Sequence, residues 1–534
     1  MIRNALIPLV LACMAGQGLA QDKVEQVINS IVEGERQMVA RLAPTKPFVE
    51  TYIQELDPSK FTPVRDDYML MRLDLTGGAD GTLTGSESFK KPSWWMPLRR
   101  AGKLTFQPSG WARMAFFDLA PFDRSTYKFE YSRREFLGDV RCLVFEVSPA
   151  NQKETGRFVG RIWVEDQGYK IVRFNGTYSG GTRSAMFFHL DSWRVNVAPG
   201  QWAPAFVYVE EGDTSISKFR FKAQVRLWAY GTGRSTKMDE LAQVLIESNA
   251  AVDEAGPKDN SPMESQRAWE REAERNVIEK LERSGLMAPA GEVDKVLNTV
   301  VNNLIVTNNI DKDVRCRVVL TTPLETFFIG QTIVISRGLL DVLPDEASLA
   351  MVLSGELAHI ALGHRTPTSF AFGDATMFDD RQILDRLNMR RTPEEIAAAG
   401  KKSLEILSKS PYKDKLGGAG LFLKEVDSRM ASLPNLVRPN MGNRFVGPAG
   451  QGVLGALTQG APALDANKID QIAALPLGSR VKVDVWTNRI SMVKTTQMTV
   501  TSAREKMPLE VTPMMLHLTR VEAAAETEQQ FSAQ

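Results

Sequence analysis

Between about residue 65 and residue 230, apolar and polar positions alternate in short runs punctuated by Gly, Pro, Asn and Asp. That period of two predicts antiparallel strands, most clearly over 127–131, 141–147, 160–165, 170–175, 206–209 and 219–228. Ahead of them, Val24, Val27, Ile28, Ile31 and Val32 line one face of a helix over 24–41. Beyond residue 250 the spacing turns helical, first in a charged helix over 264–284, then over 293–304, 393–408 and 417–433. Short apolar runs at 317–320 and 332–336 read as strands, and 480–486, 489–494 and 497–501 as a small C-terminal β element. The fold class expected is α+β.

One helix stands apart. Over 349–364 the residues Leu349, Leu353, Leu357 and Ile360 share a stripe, and the other faces are also largely apolar, so the helix is expected to be buried nearly all round. Glu356 and His359 are then polar groups inside a core, and each needs a partner to offset a burial cost of roughly a few kcal/mol.

Seven segments follow from these changes of pattern: 1–20, 21–250, 251–290, 291–433, 434–466, 467–520 and 521–534. The first carries Arg3, an apolar run over 5–15 and the small residues Gly18 and Ala20, the pattern of a secretory signal peptide cut after Ala20. It is too short to span a bilayer, and no later stretch is long and apolar enough to do so, which leads to an expectation of periplasmic or secreted protein. Cys13 after Val10-Leu11-Ala12 only loosely matches a lipobox.

The chain has 534 residues, 43% hydrophobic and 24% charged, which is ordinary globular material. A net charge of +1 gives no reason to expect nucleic acid as a partner. Of the 3 Cys, Cys142 and Cys316 remain after the signal and are expected as free buried thiols, an interdomain disulfide being the alternative. A formal G-x-G-x-x-G at 450–455 follows no strand and reads as surface loop, and paired acids at Asp379 and Asp380 read as a solvated turn. His189 and His517, isolated among apolar neighbours, read as structural histidines.

Glu356 and His359 match the second half of H-E-x-x-H, in which two His one turn apart bind zinc and the Glu acts on the zinc-bound water. Here the frame is Gly355-Glu356-Leu357-Ala358-His359, so the first ligand is missing. His364, five residues beyond His359, would be turned by about 140° on a continuing helix and could not share its metal.

The strands at 317–320 and 332–336, the helix entry over 336–346 and the sequence GELAHIALGH together resemble the HtpX-like and CAAX-prenyl-protease-type zinc metallopeptidases, gluzincins of peptidase family M48, over roughly residues 290–433. The resemblance implies a third zinc ligand, a Glu on a later helix. Ile396 stands in that Glu position and Gly400 in the position of the family's second-shell Asp, while Glu395 is one residue out of frame. Losses at Gly355, Ile396 and Gly400 together point to a degraded centre, with Glu356 a remnant general base and His359 a remnant ligand.

The opening helix and the strands up to residue 250 resemble the half-open barrel of LolA-like lipoprotein carriers, which implies a concave apolar face able to hold an acyl chain or a peptide. Trp94, Trp95, Phe116, Phe117 and Trp163 are its suggested lining, or else plain sheet core. The expectation is an exported, non-catalytic relative of these peptidases without a cofactor, binding an extended polypeptide or envelope client at an edge strand near 332–336. The first alternative is an active zinc endopeptidase whose ligand set is completed by Glu395 with His364 or His517. The second is a lipid or lipoprotein binder acting through its N-terminal domain.

Overall fold

The computed structural model describes residues 7–76, 82–85, 108–117, 122–179, 188–211, 220–231, 262–365, 389–437, 442, 455–465, 467–493 and 506–521. Several expectations lie outside these residues: Trp94, Trp95, Asp379, Asp380, most of the 250–263 linker, most of the G-x-G-x-x-G, the strand at 497–501 and the tail beyond Val521. The chain has both helices and strands, with a large antiparallel sheet in its N-terminal half.

That sheet has ten strands and stays open. Its order is β3-β2-β1-β10-β9-β8-β7-β6-β5-β4, every neighbour antiparallel. The strands are β1 (Phe48–Leu56), β2 (Pro63–Asp74), β3 (Thr82–Gly85), β4 (Tyr127–Leu137), β5 (Val140–Pro149), β6 (Phe158–Glu165), β7 (Ile171–Tyr178), β8 (Phe188–Ala198), β9 (Gln201–Glu211) and β10 (Arg220–Trp228). Six of them fall where the alternation predicts. The suggested lining residues Phe116, Phe117 and Trp163 are all buried, and Phe117 packs in an aromatic cluster with Phe122, Tyr127, Phe158 and Phe174. A helix over Ile7–Leu42 lies against β7 and β9, burying Ile28, Ile31, Met38 and Leu42. It is pinned by Glu35, whose carboxylate accepts two hydrogen bonds from Arg194 on β8. No described helix is long and apolar enough to cross a membrane.

β1 joins this sheet to the rest of the molecule, and that task makes it nearly invisible as a pattern. Its alternate residues Glu50, Tyr52 and Gln54 are buried although each is polar or carries a hydroxyl. The Glu50 carboxylate accepts from the Thr322 backbone N–H at 2.6 Å, the Thr322 hydroxyl at 2.7 Å, Arg337 at 3.0 Å and the Tyr68 hydroxyl at 3.0 Å. The Tyr52 hydroxyl donates to Asp66, which also accepts from the backbone N–H groups of Asn435 and Leu436. Gln54 donates to the Leu509 carbonyl and accepts from the Val511 N–H.

The second half begins with the charged helix, found at Pro262–Arg283, and a helix at Glu292–Asn308. A three-stranded sheet follows, ordered β11-β13-β12, from β11 (Arg315–Val319), β12 (Thr326–Ile329) and β13 (Thr332–Ser336). The strand at 332–336 is therefore central, parallel to β11 and antiparallel to β12, and not the edge expected for a docking peptide. The hairpin supplying its second neighbour is too short and too uniformly apolar to show a period.

After β13, Ser336 caps a short helix over Arg337–Val342, and the central helix Glu346–Ala361 starts at its cap Asp345. Helices Pro393–Ser408 and Leu416–Arg429 pack on it. Part of the 434–466 stretch, expected as a loop, is helical at Pro434–Val437 and Gly455–Gly460. The latter packs so closely on the Leu416–Arg429 helix that a Cβ at Gly420 would lie 2.3 Å from the Leu457 carbonyl oxygen. β14 (Val481–Val483) and β15 (Ile490–Met492) pair as a two-stranded C-terminal sheet. Residues 506–521 then run back as an irregular strap over the large sheet, touching Gln54 through Leu509 and Val511, the Asp139 N–H through Leu518, and Glu165 and Asp166 through Arg520. Cys142 and Cys316 are free and buried, and burial pushes both thiols up to about 12.

Candidate functional site

The central helix is built from Ala, Leu, Val and Met and is buried on nearly all sides, which leaves few polar groups to account for. Glu356 is 3% exposed and His359 is 3% exposed. One turn of α-helix puts them on the same face, and β12 covers that face. The Thr326 hydroxyl donates to Glu356 Oε1 at 2.7 Å. Two residues along the same strand, so on the same side, Phe328 stacks on the His359 ring at 5.7 Å and 29°.

The helix does not continue to His364. It stops at Ala361 because Gly363 adopts φ +73, which only glycine takes without strain. The Gly363 N–H then donates to the Ile360 carbonyl and the His364 N–H to the His359 carbonyl at 3.1 Å, the paired bonds of a Schellman stop. The reversal carries the His364 ring back, and its Nδ1 lies 2.8 Å from His359 Nδ1. The expectation that His364 points away is thus overturned: it assumed an unbroken helix, and Gly363 directly after the last apolar position was the sequence signal for the turn.

Arg391 is the other residue of the site that pattern reading did not find. It is 8% exposed, its guanidinium lies 4.0 Å over the Phe328 ring, and Nη1 donates to the Arg365 carbonyl. Burial pulls its pKa below the usual guanidinium value, while the charges of Glu356 and Glu395 push the other way, so both carboxylates act on it. His359 is held at about 3 by burial first, then by His364 and by the Arg391 charge. The imidazole is therefore neutral, and in the Nδ1 to Nδ1 contact one ring donates and the other accepts. Nothing in the sequence marks Arg391 beyond its place before the Thr392 helix cap.

The remaining expected residues are dispersed. Among the described residues no atom lies within 4 Å of a Cβ built at Gly355, the half-buried position of the missing first ligand. Glu395 closes a capping box, its carboxylate accepting from the Thr392 N–H while Thr392 Oγ1 accepts from the Glu395 N–H. That bond occupies it locally at the helix start. Ile396 is half-buried, and the neighbouring Ala399 and Gly400 pack inward, where Ser403 meets Ser354 of the central helix at 2.6 Å. His517 sits far along the strap, exposed, with Nε2 3.3 Å from Asp139 on the β4–β5 turn.

This donor set does not fit a zinc ion. Two nitrogens bound at about 2.0–2.1 Å to tetrahedral zinc stand about 3.3 Å apart, whereas His359 and His364 are at the 2.8 Å of a direct hydrogen bond. Position 355 offers no donor, and a guanidinium cation already acts on Glu356 and His359. Among the described residues no group of three or more His, Cys, Asp or Glu is placed to hold a metal.

No curated protein matches this chain. The model of Peptidase family M48 does match it, over residues 292–378, a segment that takes in the Glu292–Asn308 helix, the three-stranded sheet and the central helix with Glu356 and His359. Over this segment the chain is similar to Peptidase family M48.

Proposed function

We infer that this is a metal-free, non-hydrolytic relative of the M48 peptidases that holds extended polypeptide instead of cutting it. The observation that carries the reading is the His359 to His364 hydrogen bond beside an empty ligand position at Gly355. A general base such as Glu356 needs a water made acidic by a metal, and here its Oε1 is bound by Thr326 instead. The scaffold is kept while the reaction is lost.

The 332–336 strand cannot receive a client, because β11 and β12 flank it. Among the described residues the ten-stranded sheet ends in β3 and β4, and the longer of the two, β4, carries Tyr131 at 47% and Phe136 at 66% exposure among Lys, Arg and Glu. An added strand would take its backbone bonds there and its side-chain contacts from those two rings. The export reading, from the 1–20 segment, makes the client an unfolded protein of the cell envelope.

One observation favours the lipid-binding alternative: a groove of about 670 Å³ between Ile28 of the first helix and β4–β6, with Phe129, Val147 and Val159 on its walls and Arg124 and Lys128 at its rim. Three measurements on purified protein separate the readings. Zinc stoichiometry near zero, no cleavage of a reduced, unfolded protein, and retention of that protein by the intact chain support the polypeptide reading. Bound zinc with cleavage establishes the peptidase, and a co-purifying acyl lipid without polypeptide retention establishes the lipid carrier.

A further inference from the structure

We propose that residues 512–521 are the resident occupant of a polypeptide-docking surface on the ten-stranded sheet, and that an unfolded client takes that surface by displacing them. The proposal rests on the polypeptide-holding reading above and adds a second, covered surface to the β4 edge. The strap that crosses the sheet has two parts. Over 506–511 it is fixed from both sides: Leu509, Glu510 and Val511 are buried, the Leu509 N–H donates to the Leu475 carbonyl at 3.2 Å, and the Leu477 N–H donates to the Glu510 carbonyl at 3.1 Å. After Val511 the pattern changes. The even-numbered residues from Met514 to Arg520 are buried or half-buried, while the odd-numbered ones from Pro513 to Val521 are exposed. That is the period of two of an extended chain, yet this stretch joins no ladder of strands among the described residues.

An extended ligand is held by hydrogen bonds to its main chain and by contacts to alternate side chains. Both are present here. The Asp139 N–H on the β4–β5 turn donates to the Leu518 carbonyl at 2.8 Å, and the Val521 N–H donates to Asn196 Oδ1 on β8 at 2.6 Å. At the anchored end, the Gln54 amide donates to the Leu509 carbonyl and accepts from the Val511 N–H, so it grips main chain whatever the side chains are. Two glycines let the strap come close. A Cβ at Gly138, where φ is +65, would lie 2.5 Å from the Leu518 nitrogen, and one at Gly478 would lie 2.8 Å from the Met514 sulfur. Side-chain identity is read in between: Met514 and Leu516 pack on the core, Leu518 is 2% exposed, and Arg520 pairs with Glu165 at 2.6 Å and with Asp166 at 3.2 Å. The client that fits is an extended segment with apolar residues at alternate positions and a basic residue after them.

An internal occupant lowers the apparent affinity of a client in proportion to the fraction of molecules whose surface is free. Weakening the strap therefore strengthens client binding, whereas a strap with a purely structural role would uncover nothing that binds. The test uses the full chain with two probes, a dye-labelled peptide of residues 512–521 and a reduced, unfolded protein. Leu518→Asp/Arg520→Glu alters only the strap and should bind the peptide about tenfold more tightly than the unsubstituted chain. Adding Gly138→Asn, which tolerates the positive φ and puts a Cβ in the path of the docked main chain, should abolish that gain. An unchanged peptide affinity in Leu518→Asp/Arg520→Glu overturns the proposal, and so does a gain that survives Gly138→Asn.

A second measurement needs no loosened strap. His517 and Asp139 are exposed and meet at 3.3 Å, so His517→Cys/Asp139→Cys can lock the strap down through a disulfide. The oxidised form should retain neither probe, and reductant should restore retention to that of the unsubstituted chain. Should Leu518→Asp/Arg520→Glu fail to fold, this comparison decides alone. Equal retention of the unfolded protein by the oxidised and reduced forms leaves the polypeptide reading with its site at the β4 edge and overturns this inference. Retention by no form ends both.

Discussion

Replacing Glu50 with Leu should destabilise the molecule more than any other single change at the junction of its two halves. Glu50 is 1% exposed and Arg337 is 2% exposed, and they meet at 3.0 Å between β1 and the residue that follows β13. The carboxylate also accepts from Thr322 twice and from Tyr68. Arg226 and Asp341 complete a buried group of two cations and two anions, since Arg337 and Arg226 repel and each is drawn to Asp341. Removing Glu50 leaves that group with a net positive charge and leaves the Thr322 N–H without its acceptor. Breaking a buried pair from one side costs about 3–5 kcal/mol, and the lost backbone acceptor adds about 1–3 kcal/mol.

The assay is urea unfolding of Glu50→Leu, Arg337→Met and the double variant, followed by tryptophan fluorescence, to which the buried Trp228 contributes. Because Arg337 lies 5.9 Å over the Trp228 ring, its loss is read locally as well as globally. Both single variants should fall by at least about 3 kcal/mol, and the double should recover part of that, because an apolar pair leaves no charge behind. Additive losses in the double variant would refute the claim that the two are held as a pair.

Four smaller predictions accompany it. Asp294, 5% exposed at the start of the Glu292–Asn308 helix, is raised by burial to about 6 from 3.8. The folded state therefore holds its proton more tightly than the unfolded chain. Stability is unaffected below 3.8, declines as pH rises from 3.8 to 6 and stays lower above 6, by at most about 3 kcal/mol. Asp294→Asn should remove that decline in stability profiles measured between pH 4 and 8, while its carbonyl keeps the bond from the Gly291 N–H. Gly355→Ala meets no atom among the described residues and should raise the unfolding free energy measured in urea by about 1 kcal/mol through helix propensity. Gly420→Ala should cost about 1–3 kcal/mol by pressing on the Leu457 carbonyl, and limited proteolysis should then cut first near Gly455–Gly460. Gly355→His should leave the protein folded by circular dichroism, since among the described residues no atom lies within 4 Å of the added Cβ.

What the sequence reveals of this fold follows from where each side chain has to be satisfied. β5 alternates over most of its length because one face is wetter than the other, and it reads clearly. β1 is buried on both faces, one of them through Glu50, Tyr52 and Gln54, so its polar residues look like surface and hide the strand. β12 is four residues long and wholly buried, too short for any period. In the site, Glu356 and His359 were legible because their spacing is local to one helix. The His364 contact was legible in principle from Gly363, and the error was to extend an ideal helix past it. Arg391 was not legible, since its partners Phe328, Glu356 and Arg365 lie up to 63 positions away in the chain.

The strap at 506–521 makes the order of biosynthesis matter. The amide of Gln54 is bonded to Leu509, 455 positions downstream. At about 5–20 residues per second, a ribosome reaches that partner roughly half a minute to a minute and a half after β1 emerges. Early in that interval β1 presents Glu50 without Thr322 or Arg337, and throughout it Gln54 lacks the strap, while Tyr52 already has Asp66. The first half of the chain is therefore a waiting template and not a finished domain. A fragment that stops at residue 250 keeps those polar groups exposed along a face meant to be dry, and its behaviour measures an intermediate of synthesis, not the mature sheet.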